Sequence, residues 1–154
     1  MLLPVFLLAM AAMMLPSELP LFRLDYATAR SALRTASLGA GYAAVWILLA
    51  APLFFLPAPP WELAVAVAAA YQLTPLKRRC LAVCRSPLGW IVHRWRGGLG
   101  GAFRSGVERG LWCAGCCVGA MLVLLAVGLM NIWWMALAGA AIFVEKRGFA
   151  AWAT

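Results

Sequence analysis

Polar and apolar positions alternate along this chain in long blocks. Apolar segments cover residues 1–15, 36–56, 61–76, 111–130 and 132–144, and Glu62 is the one charge inside them. An α-helix rises 1.5 Å per residue, so ~20 apolar residues cross a ~30 Å hydrocarbon core. The second and fourth segments meet that length. The first, third and fifth are shorter, and thinning of the bilayer or snorkelling of their flanks lets such segments cross. Pro57, Pro59 and Pro60 break the chain between the second and third segments. Residues 128–131 supply the reversal between the fourth and fifth, because the 34 residues of 111–144 are too many for one crossing. The pattern predicts an all-α, polytopic membrane protein of about five transmembrane helices, forming a single domain over residues 1–154.

Composition points the same way. The chain is 66% hydrophobic and 12% charged, where soluble domains carry about 25% charged residues. The opening MLLPVFLLAMAAMMLPSELP has no basic start and no small-residue cleavage site ahead of its prolines, so it reads as a span and not a signal peptide.

Charge then orients the spans. Arg23, Arg30 and Arg34 follow the first span; Lys77, Arg78, Arg79, Arg85, Arg94, Arg96, Arg104 and Arg109 lie in a basic loop at 77–109; Lys146 and Arg147 follow the fifth, which accounts for all thirteen. Five crossings put these groups on one side. The positive-inside bias makes that side the cytoplasm, with the N-terminus outside and the C-terminus inside. The net charge of +8 is therefore explained by topology and contact with anionic lipid, and nucleic acid is not an expected partner. Trp61, Trp90, Trp95, Trp133 and Trp134 read as interfacial belt residues, and His93 as a further interface residue.

Candidate chemistry sits in the sulfur. The stretch GLWCAGCCVGAMLVLL places Cys113, Cys116 and Cys117 at i, i+3 and i+4, on one helical face at the cytoplasmic edge of the fourth span. Cys80 and Cys84, at i and i+4, share a face at the same depth if a helix continues past Pro75. Met10, Met13 and Met14 repeat the i, i+3, i+4 spacing, and Met121 extends the column of Cys113 and Cys117. Thiolates and thioethers are soft donors that favour Cu(I), and thiolates also suit zinc. Cytoplasmic thiols are kept reduced, so a metal or exchange site is expected before a permanent disulfide.

Other marks carry less. Gly115 and Gly119 form a G-x-x-x-G suited to helix packing, roughly opposite the cysteine face. RGGLGGAFRSG lacks a preceding strand and a P-loop lysine, so it reads as a flexible loop. Glu145 beside Lys146 and Arg147 reads as an interfacial ion pair, and Asn131 as a residue that satisfies backbone at the turn. No spacing of Ser, His and Asp supports hydrolysis.

The strings AMMLPS, YQLTPLKRRCLAVCRSPL, CAGCC, GLMNIWWMALAG and the pair Glu145–Lys146 resemble a bacterial family of predicted metal-binding integral membrane proteins, a domain of unknown function sometimes labelled copper chaperone. The resemblance runs from about residue 10 to 146. It implies metal binding in the bacterial inner membrane, with Cys80, Cys84, Cys113, Cys116 and Cys117 as natural ligands. Met13, Met14, Met130, Asn131 and Glu145 are further motif positions. Two histidines of the family pattern are replaced here by Val83 and Arg109, which leaves an almost purely sulfur site. The chain is also short at its N-terminus against the family, which leaves room for an upstream span.

The expected function is soft-metal handling. Cu(I) is the first candidate and zinc the second, held by two to four of the cysteines, with Met13, Met14, Met121 and Met130 extending the path. The ion would pass to a metalloenzyme or a metal-transport protein. An accessory subunit of a larger membrane complex, without a cofactor, is the alternative. A thiol–disulfide exchanger using Cys113 and Cys116 is the third reading, and against it the sequence offers no obvious charged partner inside the span.

Overall fold

The computed structural model describes residues 2–128 and 131–148. Seven helices make up the described chain: α1 (Leu2–Ala29), α2 (Ala32–Phe55), α3 (Trp61–Gln72), α4 (Pro75–Arg85), α5 (Pro87–Arg94), α6 (Gly98–Val127) and α7 (Ile132–Gly148). No strand occurs among the described residues. Helices α1, α2 and α6 are long and apolar enough to cross a membrane. Helix α3, with 12 residues, and α7, with 17, reach only about 18 and 26 Å at 1.5 Å per residue.

The helix boundaries depart from the apolar blocks, and the reason is polar pairing. Helix α1 continues well past residue 15, through Pro16 and Pro20, to Ala29. Its buried residues Phe6, Met10, Met14, Glu18, Leu21 and Asp25 follow one face at steps of four and three. The stripe begins apolar and ends in two carboxylates, and both find cationic partners across the bundle. Those partners hold the second half of the helix in place despite the prolines.

The expected loop between the first two spans shrinks to Arg30 and Ser31. Arg30 adopts a left-handed φ of 51°, and the Ser31 hydroxyl accepts a hydrogen bond from the Arg34 amide, capping α2. Asp25 is ion-paired with Arg34 and accepts a hydrogen bond from Thr35 Oγ1 at 2.9 Å. Arg34 in turn donates to the Arg96 carbonyl at 3.0 Å and lies 3.7 Å over the Trp95 ring. The α1–α2 turn is thereby tied to the segment that leads into α6.

The basic segment 77–109 is helical, not a loop. Thr74 caps α4 with Pro75 at its first position, Ser86 caps α5, and α6 starts at Gly98, three turns before its apolar run. The 30 residues of α6 give it about 45 Å, more than a ~30 Å hydrocarbon core requires. RGGLGGAFRSG thus folds as helix over most of its length. Trp90 is also a core residue, packed with Leu21, Leu38 and Ala102, whereas Trp61, Trp95, Trp133 and Trp134 are exposed. His93 is exposed and hydrogen-bonded to the Gly89 carbonyl.

Helices α2 and α6 form the central pair, brought together by glycine. A Cβ on Gly41 would lie 2.1 Å from the Phe103 carbonyl oxygen, and one on Gly106 would lie 2.0 Å from that of Leu38. The close approach therefore runs through Gly41 and Gly106, not through Gly115 and Gly119 as a pair. Gly115 instead faces Cys80, whose sulfur would stand 2.6 Å from a Cβ there. Helix α7 is capped by Asn131, whose Oδ1 accepts from the Trp133 amide at 3.1 Å, and packs on α1, α4 and α6.

Candidate metal centre

All five cysteines are buried and reduced. Cys113, Cys116 and Cys117 project from the same side of α6 as Arg109 and Gly110, into the core that also holds Met10, Met14, Tyr42 and Met121. Cys84 comes from the end of α4. Arg109 places it there: its guanidinium donates to the carbonyls of Val83 and Cys84, both at 2.7 Å. A cation on the carbonyls of the last turn of a helix is doubly favourable, by hydrogen bonding and by the helix dipole.

Three sulfurs converge. The Sγ atoms of Cys84, Cys113 and Cys116 all lie within 4.8 Å of one another. Cys116 Sγ is 3.7 Å from Cys84 Sγ and 3.5 Å from Cys117 Sγ. Two sulfurs bound at about 2.3 Å to one ion stand roughly 3.8–4 Å apart, so this spacing fits shared ligation with little movement. Cys80 is outside the trio. It packs on Gly115, and Tyr71 is hydrogen-bonded to the Gly115 carbonyl beside it.

The methionines divide. Met14 and Met121 lie in the core shared with the cysteines, whereas Met13 is half-buried and turned toward Gly139 on α7. Met130 falls outside the described residues.

A buried ionic network stands against the sulfurs. Glu18 pairs with Arg109 Nε and with Lys146 Nζ, each at 2.8 Å, and all three side chains are at most 4% exposed. Lys146 also donates to Ser17 Oγ at 3.0 Å and to Cys113 Sγ at 3.1 Å, and the Tyr42 hydroxyl is 3.2 Å from the same sulfur. Two cations against one carboxylate leave a positive charge uncompensated. On α4, burial pushes the Cys80 thiol up, and hydrogen bonds from the Cys113 and Cys116 sulfurs, together with burial, push the Cys84 thiol up.

The metal-ligand spacing does not pick out Lys146, Glu18 or Tyr42, and the resemblance marks Arg109 only as a replaced histidine. The expected surface pairing of Glu145 with Lys146 gives way to a different arrangement. Lys146 turns inward, while Glu145 pairs with Lys77 at 2.8 Å and its carbonyl accepts from Arg85 at 2.8 Å, fastening α7 to α4. The sequence signal was present: a carboxylate at position 18 within an apolar stripe requires a cationic partner.

A family model described as PpoB2, copper chaperone, matches residues 3–153. The chain belongs to this copper chaperone family. No curated protein and no solved structure matches the chain significantly. Val83 and Arg109, the two positions at which the resemblance implies histidines, are in direct contact through the guanidinium and carbonyl. The two positions therefore fall at one place, and it borders the three-sulfur cluster.

Proposed function

We propose that this copper chaperone family member binds one Cu(I) at Cys84, Cys113 and Cys116 and passes it on, within a bacterial inner membrane, to a metalloenzyme under assembly or a metal-transport protein. The convergence of three sulfurs from α4 and α6 within 4.8 Å carries this reading. Cu(I) suits it better than zinc. A structural zinc site takes four ligands, whereas here Glu18, the carboxylate beside the cluster, is committed to Arg109 and Lys146. Cys117, 3.5 Å from Cys116, and Met121 are secondary ligands that take over as the ion moves. Cys80, Met13 and Met14 belong to that path at a greater remove, and Met130, outside the described residues, is a further candidate ligand. In the membrane the chain crosses five times, with α3 and α7 as its short spans, the N-terminus outside and the basic segments in the cytoplasm.

Metal analysis of the purified, reduced chain tests this. The wild type is expected to retain about one copper per chain, and Cys84→Ser or Cys116→Ser to retain less than about a fifth of that. Copper retention unaffected by both substitutions refutes the site, and zinc in place of copper refutes the choice of ion.

One observation favours thiol–disulfide exchange as a second reading: Lys146 supplies, at 3.1 Å from Cys113 Sγ, the charged partner that the span sequence lacked. Trapping of a mixed disulfide by Cys116→Ser, with no copper in the wild type, would select it.

A further inference from the structure

The route by which copper reaches the buried sulfurs follows from the charge around them. A cavity of about 270 Å³ opens where α1, α4, α6 and α7 meet. Among the described residues Cys84 is the one sulfur in its wall, which also holds Arg109, Lys146 and Arg147 against a single carboxylate, Glu18. Glu18 is already shared between Arg109 and Lys146, so it does not also pair with Arg147. Arg147 is exposed at the rim and Arg85 lies on the α7 carbonyl of Glu145. An approach lined this way repels a free Cu⁺ ion and concentrates anions, since fields in a low-dielectric cleft are focused on the ligand that enters it.

We infer that this cavity is a docking site for an anionic thiolate complex of Cu(I), and that copper enters the protein by ligand exchange from that complex and not as a bare cation. The inference rests on the copper site proposed above and names the form in which the metal is delivered. The volume admits a metal with a small thiolate arm and excludes a folded carrier from the interior.

The exchange balances without oxidant or base. A donor Cu(SR)₂⁻ meets Cys84 first: one donor Cu–S bond breaks, a Cu–Sγ bond forms, and the Cys84 proton leaves on the departing thiolate as RSH. Cys116, with its Sγ 3.7 Å behind that of Cys84, repeats the step. Copper stays Cu(I) throughout, two donor Cu–S bonds are replaced by two protein Cu–S bonds, and two RSH leave with the two cysteine protons, after which Cys113 Sγ adds as the third sulfur with no further bond broken. The complex bears one negative charge before and after, beside the uncompensated positive charge of Arg109, Lys146 and Glu18.

The test holds the reacting sulfur constant and varies charge. The reduced full-length chain in detergent is mixed anaerobically with Cu(I) in excess 2-mercaptoethanesulfonate, 2-mercaptoethanol or 2-aminoethanethiol, and copper per chain is counted after rapid desalting at successive times. Loading is expected to be fastest from the sulfonate thiol and slowest from the ammonium thiol, about tenfold apart per step at low salt, and to converge near 0.5 M salt. Arg147→Gln is expected to narrow the spread. Equal rates from all three thiols, a reversed order, or a spread untouched by Arg147→Gln overturns the inference while leaving the copper site standing. Absence of copper from every donor overturns the site itself and the inference with it.

Discussion

Glu18→Gln removes the one carboxylate that holds two buried cations. Arg109 and Lys146 each approach it at 2.8 Å, with side chains 2% and 4% exposed. After the substitution neither cation has another carboxylate in contact, and Lys146 keeps only Ser17 and Cys113. Stranding one buried partner costs about 3–5 kcal/mol, most of it desolvation that the lost attraction had offset. For a chain of this length each kcal/mol moves the thermal midpoint by about 2–4 °C, so a fall of roughly 6–20 °C is expected. The assay is a thermal melt of the detergent-solubilised chain, followed by circular dichroism and by labelling of newly exposed thiols. A double-mutant cycle sharpens it. Adding Lys146→Met to Glu18→Gln removes one of the stranded charges, so the double variant is expected to lose less stability than the two single losses together. A midpoint within about 1 °C of wild type for Glu18→Gln, or strict additivity in the cycle, refutes the claim that this network holds α1, α6 and α7 around the sulfurs.

Gly41→Ala and Gly106→Ala each drive a methyl to about 2 Å from a facing carbonyl oxygen, so each is expected to cost about 1–3 kcal/mol in the same melt, while Gly100→Ala, with open space around it, is expected to be neutral or slightly stabilising. Loss of stability in Gly100→Ala but not in the other two contradicts the α2–α6 packing. Copper affinity measured against a non-thiol competitor is expected to rise with pH across the neutral range. The Cys84 thiol is pushed up and keeps its proton in the metal-free chain, so each proton displaced adds about a factor of ten per pH unit. A flat profile from pH 6 to 8 argues against ligation by Cys84. For topology, a reporter fused after residue 154 is expected to be active in the cytoplasm and one fused before residue 1 outside it; both on one side would require an even number of crossings. Cys80→Ser, which leaves the trio intact, is expected to retain copper near the wild-type level, and loss equal to that of Cys84→Ser would move Cys80 into the primary site.

Much of the cysteine arrangement could be read in advance because helix periodicity is local. The i, i+3, i+4 spacing of Cys113, Cys116 and Cys117 puts them on one face of any α-helix, whatever packs against it. Cys80 and Cys84 were harder to separate: both lie on the buried side of α4, yet one turn along the helix carries Cys84 to the trio and leaves Cys80 against Gly115. Helix ends were harder still. The first apolar block stops at residue 15 and the fourth begins at 111, but α1 runs on to Ala29 and α6 begins at Gly98 because Glu18, Asp25 and Arg109 are neutralised by partners that hydropathy does not register.

The sequence by itself determined a helical, lipid-compatible chain, the clustering of its basic residues, its thiol-rich face and its family. These depend on composition and short-range spacing, which survive any arrangement of the helices. Only the tertiary structure decided which thiols meet and what charge surrounds them. Glu18 reaches Arg109 across 91 residues and Lys146 across 128. No periodic pattern links such positions; the cost of burying an unpaired charge does, and it is settled when α1, α4, α6 and α7 close around Cys84 and Cys113.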